Sequence, residues 1–247
     1  MRIDLNCDMG EGMPDDEALM PLLSSANISC GYHAGDEATL RATLELARHY
    51  GVNAGAHVSF PDRENFGRTE MNLPPTELYA CVVDQLQLFD RAARSVGVEP
   101  VHVKPHGALY NQSARDPKIA QIIARAVRDT NPRWILFGLS GSDSIREAQQ
   151  LGLSTASEVF ADRSYQDDGS LTPRKLAGAM IENTAEAIAQ VLLMIRAGRV
   201  RTLSGKEIPI VADTVCLHGD GPKALIFARA LVETLHREQI SIIAVNQ

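Results

Sequence analysis

One pattern recurs along this chain and limits the folds open to it. A short apolar, strand-like run ends in a histidine or a carboxylate, and a stretch with helical periodicity follows. The endings are IDLNCDMGE (Asp8, Glu11), SANISCGYHAGD (His33, Asp36), NAGAHVSFPD (His57, Asp62), PVHVKPHGALYN (Lys104, His106) and TVCLHGDGP (His218, Asp220). Strand-then-helix alternation over a whole chain implies a parallel sheet with helical crossovers. If the strands are neighbours, their C-terminal ends share one mouth, where ionisable groups far apart in sequence meet.

The 247 residues suit one (β/α) barrel, and no linker or composition shift divides them, so a single domain over 1–247 is expected. The expected strands are 3–8, 25–30, 53–58, 101–105, 134–139, 154–160 and 214–218, with 240–245 as an eighth strand or a tail. Seven or eight strands favour a closed α/β barrel over an open doubly wound sheet, the alternative. Helices are expected near 15–23, 37–50, 75–96, 116–130, 141–151, 175–197 and 222–237. Asp36 is placed to cap the second of these and Gly51 to end it. The segment RVRTLSGKEIPIVA alternates around Ser204-Gly205-Lys206 and predicts a hairpin outside the βα repeat.

A net charge of −7 argues against a nucleic-acid surface, and 5% aromatic residues against a stacking platform. No apolar run reaches the ~20 residues of a membrane span, and no signal-peptide pattern is visible, so a cytoplasmic protein is expected. Cys7, Cys30, Cys81 and Cys216 form no CxxC pair and read as reduced, mostly core residues.

Asp4, Asn6 and Asp8 alternate along the first strand and share one face, which suits a polar barrel interior. Asn27 and His33 follow on the second strand and its glycine-rich turn; Asp36 is both a site candidate and a helix cap. His57 precedes a long loop holding Asp62, Asn65, Gly67 and Arg68. In Lys104-Pro105-His106-Gly107 a cation and a titratable base share a face, with Tyr110 and Asn111 beyond them. A lysine beside a histidine suits stabilisation of developing negative charge next to proton transfer. Asp162, Arg163, Tyr165 and Arg174 decorate the 161–174 loop, where an arginine fork suits a carboxylate or phosphate ligand, or solvent alone. No phosphate-cradling G-x-x-x-x-G-K-[ST], G-x-G-x-x-G, G-x-S-x-G or H-E-x-x-H motif is present.

Taken in order, DLNCDMGEG, SANISCGYHAGD, GAHVSFPDRENFGR, HVKPHGALYNQ, EVFADRSYQDDGSLTPR and VCLHGDG resemble the LamB/YcsF family, the A-type component of the prokaryotic ATP-dependent 5-oxoprolinase. The resemblance implies a barrel related to the glycoside hydrolase/deacetylase barrels. It also implies cleavage of 5-oxo-L-proline to L-glutamate coupled to ATP hydrolysis, magnesium as the nucleotide salt, and partner subunits B and C. Two positions depart from the family's usual residues: Val58 stands where proline is common and Met9 where leucine is. On this reading Asp8, His33, His57, Lys104, His106 and His218 are the catalytic candidates. Asn6, Asn27, Asp36, Arg68, Tyr110, Asp162 and Arg163 are the substrate-binding ones. The roles stay open: Lys104 for phosphate or oxyanion charge, His106 or His33 with Asp8 as base, His57 or His218 as acid. Two alternatives remain beside it. One is a metal-dependent deacetylase or amidohydrolase without ATP, using Asp8, His33, His57 and His218; the other is a non-catalytic substrate-binding subunit. Neither a resident metal nor homo-oligomerisation is decided by the sequence.

Overall fold

Side chains of a strand alternate between two sides, and in β1 (Arg2–Met9) the two sides differ completely. Ile3, Leu5, Cys7 and Met9 are buried in apolar contact, whereas Asp4, Asn6 and Asp8 face polar groups from other strands. The computed structural model describes residues 1–217 and 224–247. In it the alternation resolves into a closed parallel barrel. β1 is followed by helix α1 (Asp16–Leu19), strand β2 (Ser25–Ser29), helix α2 (Glu37–Tyr50), strand β3 (Asn53–Val58) and helix α3 (Pro75–Ser95). Then come β4 (His102–Pro105), α4 (Gly107–Arg115), α5 (Pro117–Thr130), β5 (Ile135–Leu139), α6 (Asp143–Gln150) and β6 (Thr155–Phe160). The chain ends with α7 (Thr184–Ala197), β7 (Arg199–Arg201), β8 (Glu207–Pro209), β9 (Thr214–Leu217), α8 (Ala224–Arg237) and β10 (Ser241–Ile242).

Parallel pairing runs β1-β2-β3-β4-β5-β6-β9, and β9 pairs back onto β1, closing the ring. β10 lies outside that ring, paired to Arg2 and Ile3 at the start of β1, so the barrel itself has seven strands. β7 and β8 form the antiparallel hairpin expected around Ser204-Gly205-Lys206.

Local chemistry accounts for the helix ends. Asp36 accepts from the Thr39 amide at the start of α2, and Gly51, at φ 69°, ends it. Asp116 and Asn183 cap α5 and α7 in the same way. Two helix expectations need correction. The helix expected over 175–197 begins only at Thr184, after the Asn183 cap. Residues 107–115, for which the sequence predicts no element, form α4, separated from α5 by the Asp116 cap.

The barrel interior is unusually polar. Asp4 accepts from Ser24, Ser25 and Thr214, and burial nonetheless raises its pKa. Asn6 Nδ2 donates to Glu158 Oε1 at 3.0 Å and to Thr214 Oγ1 at 2.7 Å. Asn27 Nδ2 donates to Asn6 Oδ1 at 2.7 Å and to Asp8 Oδ1 at 2.9 Å. His102 Nε2 donates to Asn27 Oδ1 at 2.8 Å while the ring stacks on Phe137 at 4.2 Å. Burial, with the nearby Lys104 charge, lowers the His102 pKa to about 3, so that ring is neutral. Nearly every interior donor therefore has an acceptor, which keeps polar burial tolerable.

Gly55 makes room for this network. It pairs in register with His102, and a Cβ built on it would lie only 2.2 Å from His102 Cδ2 and 2.3 Å from its Nε2. Gly55→Ala should therefore destabilise the fold by about 1–3 kcal/mol, the usual range for overpacking. Urea denaturation of the two proteins measures this; equal stability would show that the ring relaxes freely.

Candidate active site

The C-terminal ends of β1 to β4 and the turns after them bring together Asp8, Glu11, His33, His57, Lys104 and His106. Lys104, only 2% exposed, anchors the floor. Its Nζ donates to Glu158 Oε1 at 2.8 Å and to Asp8 Oδ1 at 2.9 Å, with Cys216 Sγ at 3.1 Å and Asn6 Oδ1 at 3.3 Å. Burial opposes the lysine's charge, and Asp8, Cys216 and Glu158 more than offset it, holding its pKa well above the ordinary value. Burial likewise opposes ionisation of Asp8; the charges of His57 and Lys104 prevail and hold the carboxyl well below the usual range. Asp8 is thus an ionised carboxylate, and it keeps 18% of its side chain exposed at the mouth.

Above this floor three imidazoles pack together. His33 stacks on His106 at 3.9 Å, and His57 meets both rings edge-on, at 5.4 and 4.8 Å. His57 Nδ1 faces the Lys104 carbonyl at 2.9 Å, and His106 Nε2 faces the Phe66 carbonyl at 2.9 Å. His33 Nε2 lies 2.9 Å from Glu11 Oε1. Burial, then the neighbouring His57 charge, lowers the pKa of His33 to about 3 and pulls that of His106 well below the ordinary histidine value.

The long loop after β3 supplies part of this packing. Asp62 shapes it by accepting from Asn65 Nδ2 at 2.7 Å and the Thr69 amide at 3.0 Å. Gly67, at φ 65°, carries the loop backbone so close that a Cβ there would sit 3.0 Å from both His106 and His33. Arg68 lies over the Phe66 ring at 4.9 Å. Tyr110, on α4, closes the other side, its buried hydroxyl facing the Glu158 carboxylate. Burial, then the Glu158 charge, raises the Tyr110 pKa well above the usual value, so its proton is retained.

The expected residues are thus divided. Asp8, His33, His57, Lys104 and His106 converge, with Asn6, Asn27 and Tyr110 supporting them and Arg68 at the rim. Asp36 is instead exposed and spent on capping α2. Arg163 is not brought to the cluster. It is buried in the loop after β6, donating to the Thr172 carbonyl at 2.6 Å and the Ala179 carbonyl at 3.4 Å, so the expected carboxylate clamp is a loop staple. Asp162 is its partly exposed neighbour and keeps company with the loop. His218 and Asp220 lie outside the described residues. Among the described residues the metal-type donors that gather are those of Glu11, His33, His57 and His106, with Asp8 beside them; His218, a member of the expected metal set, lies outside those residues. Glu158 escaped sequence reasoning; its one signal was a carboxylate on an otherwise buried strand, TASEVF.

The sequence model of the LamB/YcsF family matches residues 3–247. The fold is similar to that of the lactam utilization protein from Thermus thermophilus, at 39% identity and a TM-score of 0.92, covering 99% of this chain and 100% of that one. It is also similar to a putative cellobiose-phosphate cleavage protein from Enterococcus faecalis, at 12% identity and TM-score 0.58 over 99% and 97% of the two chains. A family 4 carbohydrate esterase from Streptomyces lividans matches at 12% identity and TM-score 0.52, over 98% and 91%. The last two likenesses concern the fold alone.

Breaking a buried ion pair by removing one partner costs roughly 3–5 kcal/mol. Lys104→Met, which strands Asp8 and Glu158, is expected to lose that much stability in chemical denaturation at neutral pH. Adding Glu158→Gln should cost less than the two single losses combined, because the residues act as one unit. Simple additivity would show that the three groups are independent.

Proposed function

The chain belongs to the LamB/YcsF family, and from that premise we propose that it is the ring-opening component of a lactam hydrolase. Its substrate on this reading is 5-oxo-L-proline and its product L-glutamate, formed with hydrolysis of ATP in a complex with subunits B and C. The observation that carries the proposal is the full-length likeness to a lactam utilization protein. No helix among the described residues is long and apolar enough to cross a membrane, which is compatible with the cytoplasmic location proposed.

The site suits hydrolysis of a cyclic amide. Water adds its oxygen to the ring carbonyl carbon and gives a proton to a base; the C–N bond then breaks and the nitrogen takes up a proton. Asp8 is the candidate base, because it is ionised, partly open to solvent and fixed through its other oxygen by Lys104 and Asn27. A lactam presents one hydrogen-bond acceptor and one donor. The protonated Tyr110 hydroxyl and the Glu158 carboxylate it faces offer one donor and one acceptor to that pair. Arg68 at the rim is the nearest candidate for the substrate carboxylate.

A triphosphate fits this interior poorly. Asp4, Asp8 and Glu158 line the barrel and Glu11 its mouth, while the ammonium of Lys104 is already held between two carboxylates. ATP is therefore assigned to a partner subunit, and no step on this chain is routed through it. A second reading, a metal-dependent amidohydrolase acting without ATP, is favoured by the Glu11/His33/His57/His106 cluster.

Glutamate release from 5-oxoproline with ATP and magnesium should appear only when this chain and both partner subunits are mixed. Asp8→Asn should reduce that turnover by about 10²–10⁴-fold, the usual contribution of a positioned base. Release by this chain alone, without ATP, would replace the first reading with the second. Undiminished turnover in Asp8→Asn would remove Asp8 as the base.

A further inference from the structure

His57 Nε2 and His106 Nδ1 face one another at 2.9 Å. The opposite nitrogen of each ring faces a backbone carbonyl, which can only accept. Both opposite nitrogens therefore carry hydrogen, and in neutral rings the two facing nitrogens present lone pairs to each other. Lone pairs at that separation repel unless positive charge lies between or beside them. Negative charge gathers around the same point. Glu11 Oε1 is 3.5 Å from His106 Nδ1, 3.7 Å from His57 Nε2 and 2.9 Å from His33 Nε2, and Asp8 Oδ2 is 3.2 Å from His57 Nε2.

We propose that Glu11, His57 and His106 bind one divalent transition-metal ion of the zinc class, with Asp8 as the adjacent carboxylate and the His33 ring stacked against His106 beside it. Metal–ligand bonds of ~2.0–2.2 Å in a tetrahedron put ligand atoms about 3.4 Å apart, and the separations above bracket that value. Two imidazoles with the Glu11 and Asp8 carboxylates suit zinc, cobalt, nickel or iron; they do not suit magnesium, which prefers an all-oxygen shell.

The surroundings are those of a built site. His33, His57 and His106 are all buried. The carbonyls of Lys104 and Phe66 fix the orientation of two rings, as outer-shell acceptors do for metal-bound histidines. A single proton on His57 Nε2 is the competing occupant, and it would be shared with Asp8 and His106.

The test is metal binding by the substrate-free chain, so its outcome is separate from that of the lactam reading. Chelator-stripped protein titrated with cobalt(II) should bind one ion per chain, with the intense visible bands of a four- or five-coordinate site, and zinc should displace it. Glu11→Gln and His106→Ala should each weaken binding by more than the ~10–100-fold that loss of an outer-shell contact costs. His49→Ala, on the exposed surface of α2, should leave it unchanged. Crystals of the unaltered chain grown with cobalt provide a measurement that needs no variant, with an anomalous peak expected between His57 Nε2 and His106 Nδ1. Folded chain that takes up no stoichiometric ion, a peak elsewhere, or affinity unchanged in folded Glu11 and His106 variants would overturn the proposal.

Discussion

A single ammonium, Lys104 Nζ, holds this barrel's interior together. A closed parallel ring buries whatever its inward face carries, and here that face carries acids and amides where most barrels carry branched aliphatics. The charge of Lys104 is tolerable because Asp8 and Glu158 grip it, and theirs because Lys104 lies between them. The amides of Asn6 and Asn27 then extend the network to Thr214 and His102. Lys104 also acts through its backbone, since its carbonyl orients His57 while its side chain fixes Asp8. The two groups nearest the proposed chemistry are thus positioned by one residue on one strand. A buried triad of this kind adds little net stability compared with an apolar core. It does give the interior a single arrangement, which a site requiring fixed distances needs more.

Much of this was legible in the sequence because strands obey a two-residue period. Asp4, Asn6 and Asp8 had to share a face, and a parallel sheet had to bring His33, His57 and His106 to one end. The hairpin around Ser204-Gly205-Lys206 and the caps at Asp36 and Gly51 followed from turn and helix-end chemistry that acts over a few residues. What was hidden depends on contacts between distant segments. Glu158 meets Lys104 only after the ring closes. Arg163 had the composition of a ligand clamp, yet folding of the 161–183 loop places two backbone carbonyls within its reach. The split between α4 and α5 rests on Asp116 capping the second helix, and the sequence pattern predicts only that second helix. Glu11 was visible as an ionisable strand ending, but its convergence with three histidines needs the fold.

The sign of the interior charge sets what the barrel can hold. Carboxylates outnumber cations among the interior groups and the lysine is already neutralised, so the site favours positive charge over phosphates. On the proposed reading the nucleotide belongs to a partner subunit and the lactam to the barrel. The same charge balance makes a metal ion acceptable, so the two proposals draw on one electrostatic feature.

Access narrows the chemistry further. Lys104, Glu158 and the rings of His33 and His57 are sealed from solvent, and among the strand residues of the cluster it is Asp8 that keeps an exposed edge. Asp8 is therefore the strand carboxylate of the cluster that solvent reaches. Because one Asp8 oxygen is committed to Lys104 and Asn27, the other is left to face His57 and whatever occupies the space beside it. The geometry thereby separates the two oxygens of one carboxylate into an anchored atom and a working atom, a division that a solvent-exposed aspartate could not maintain.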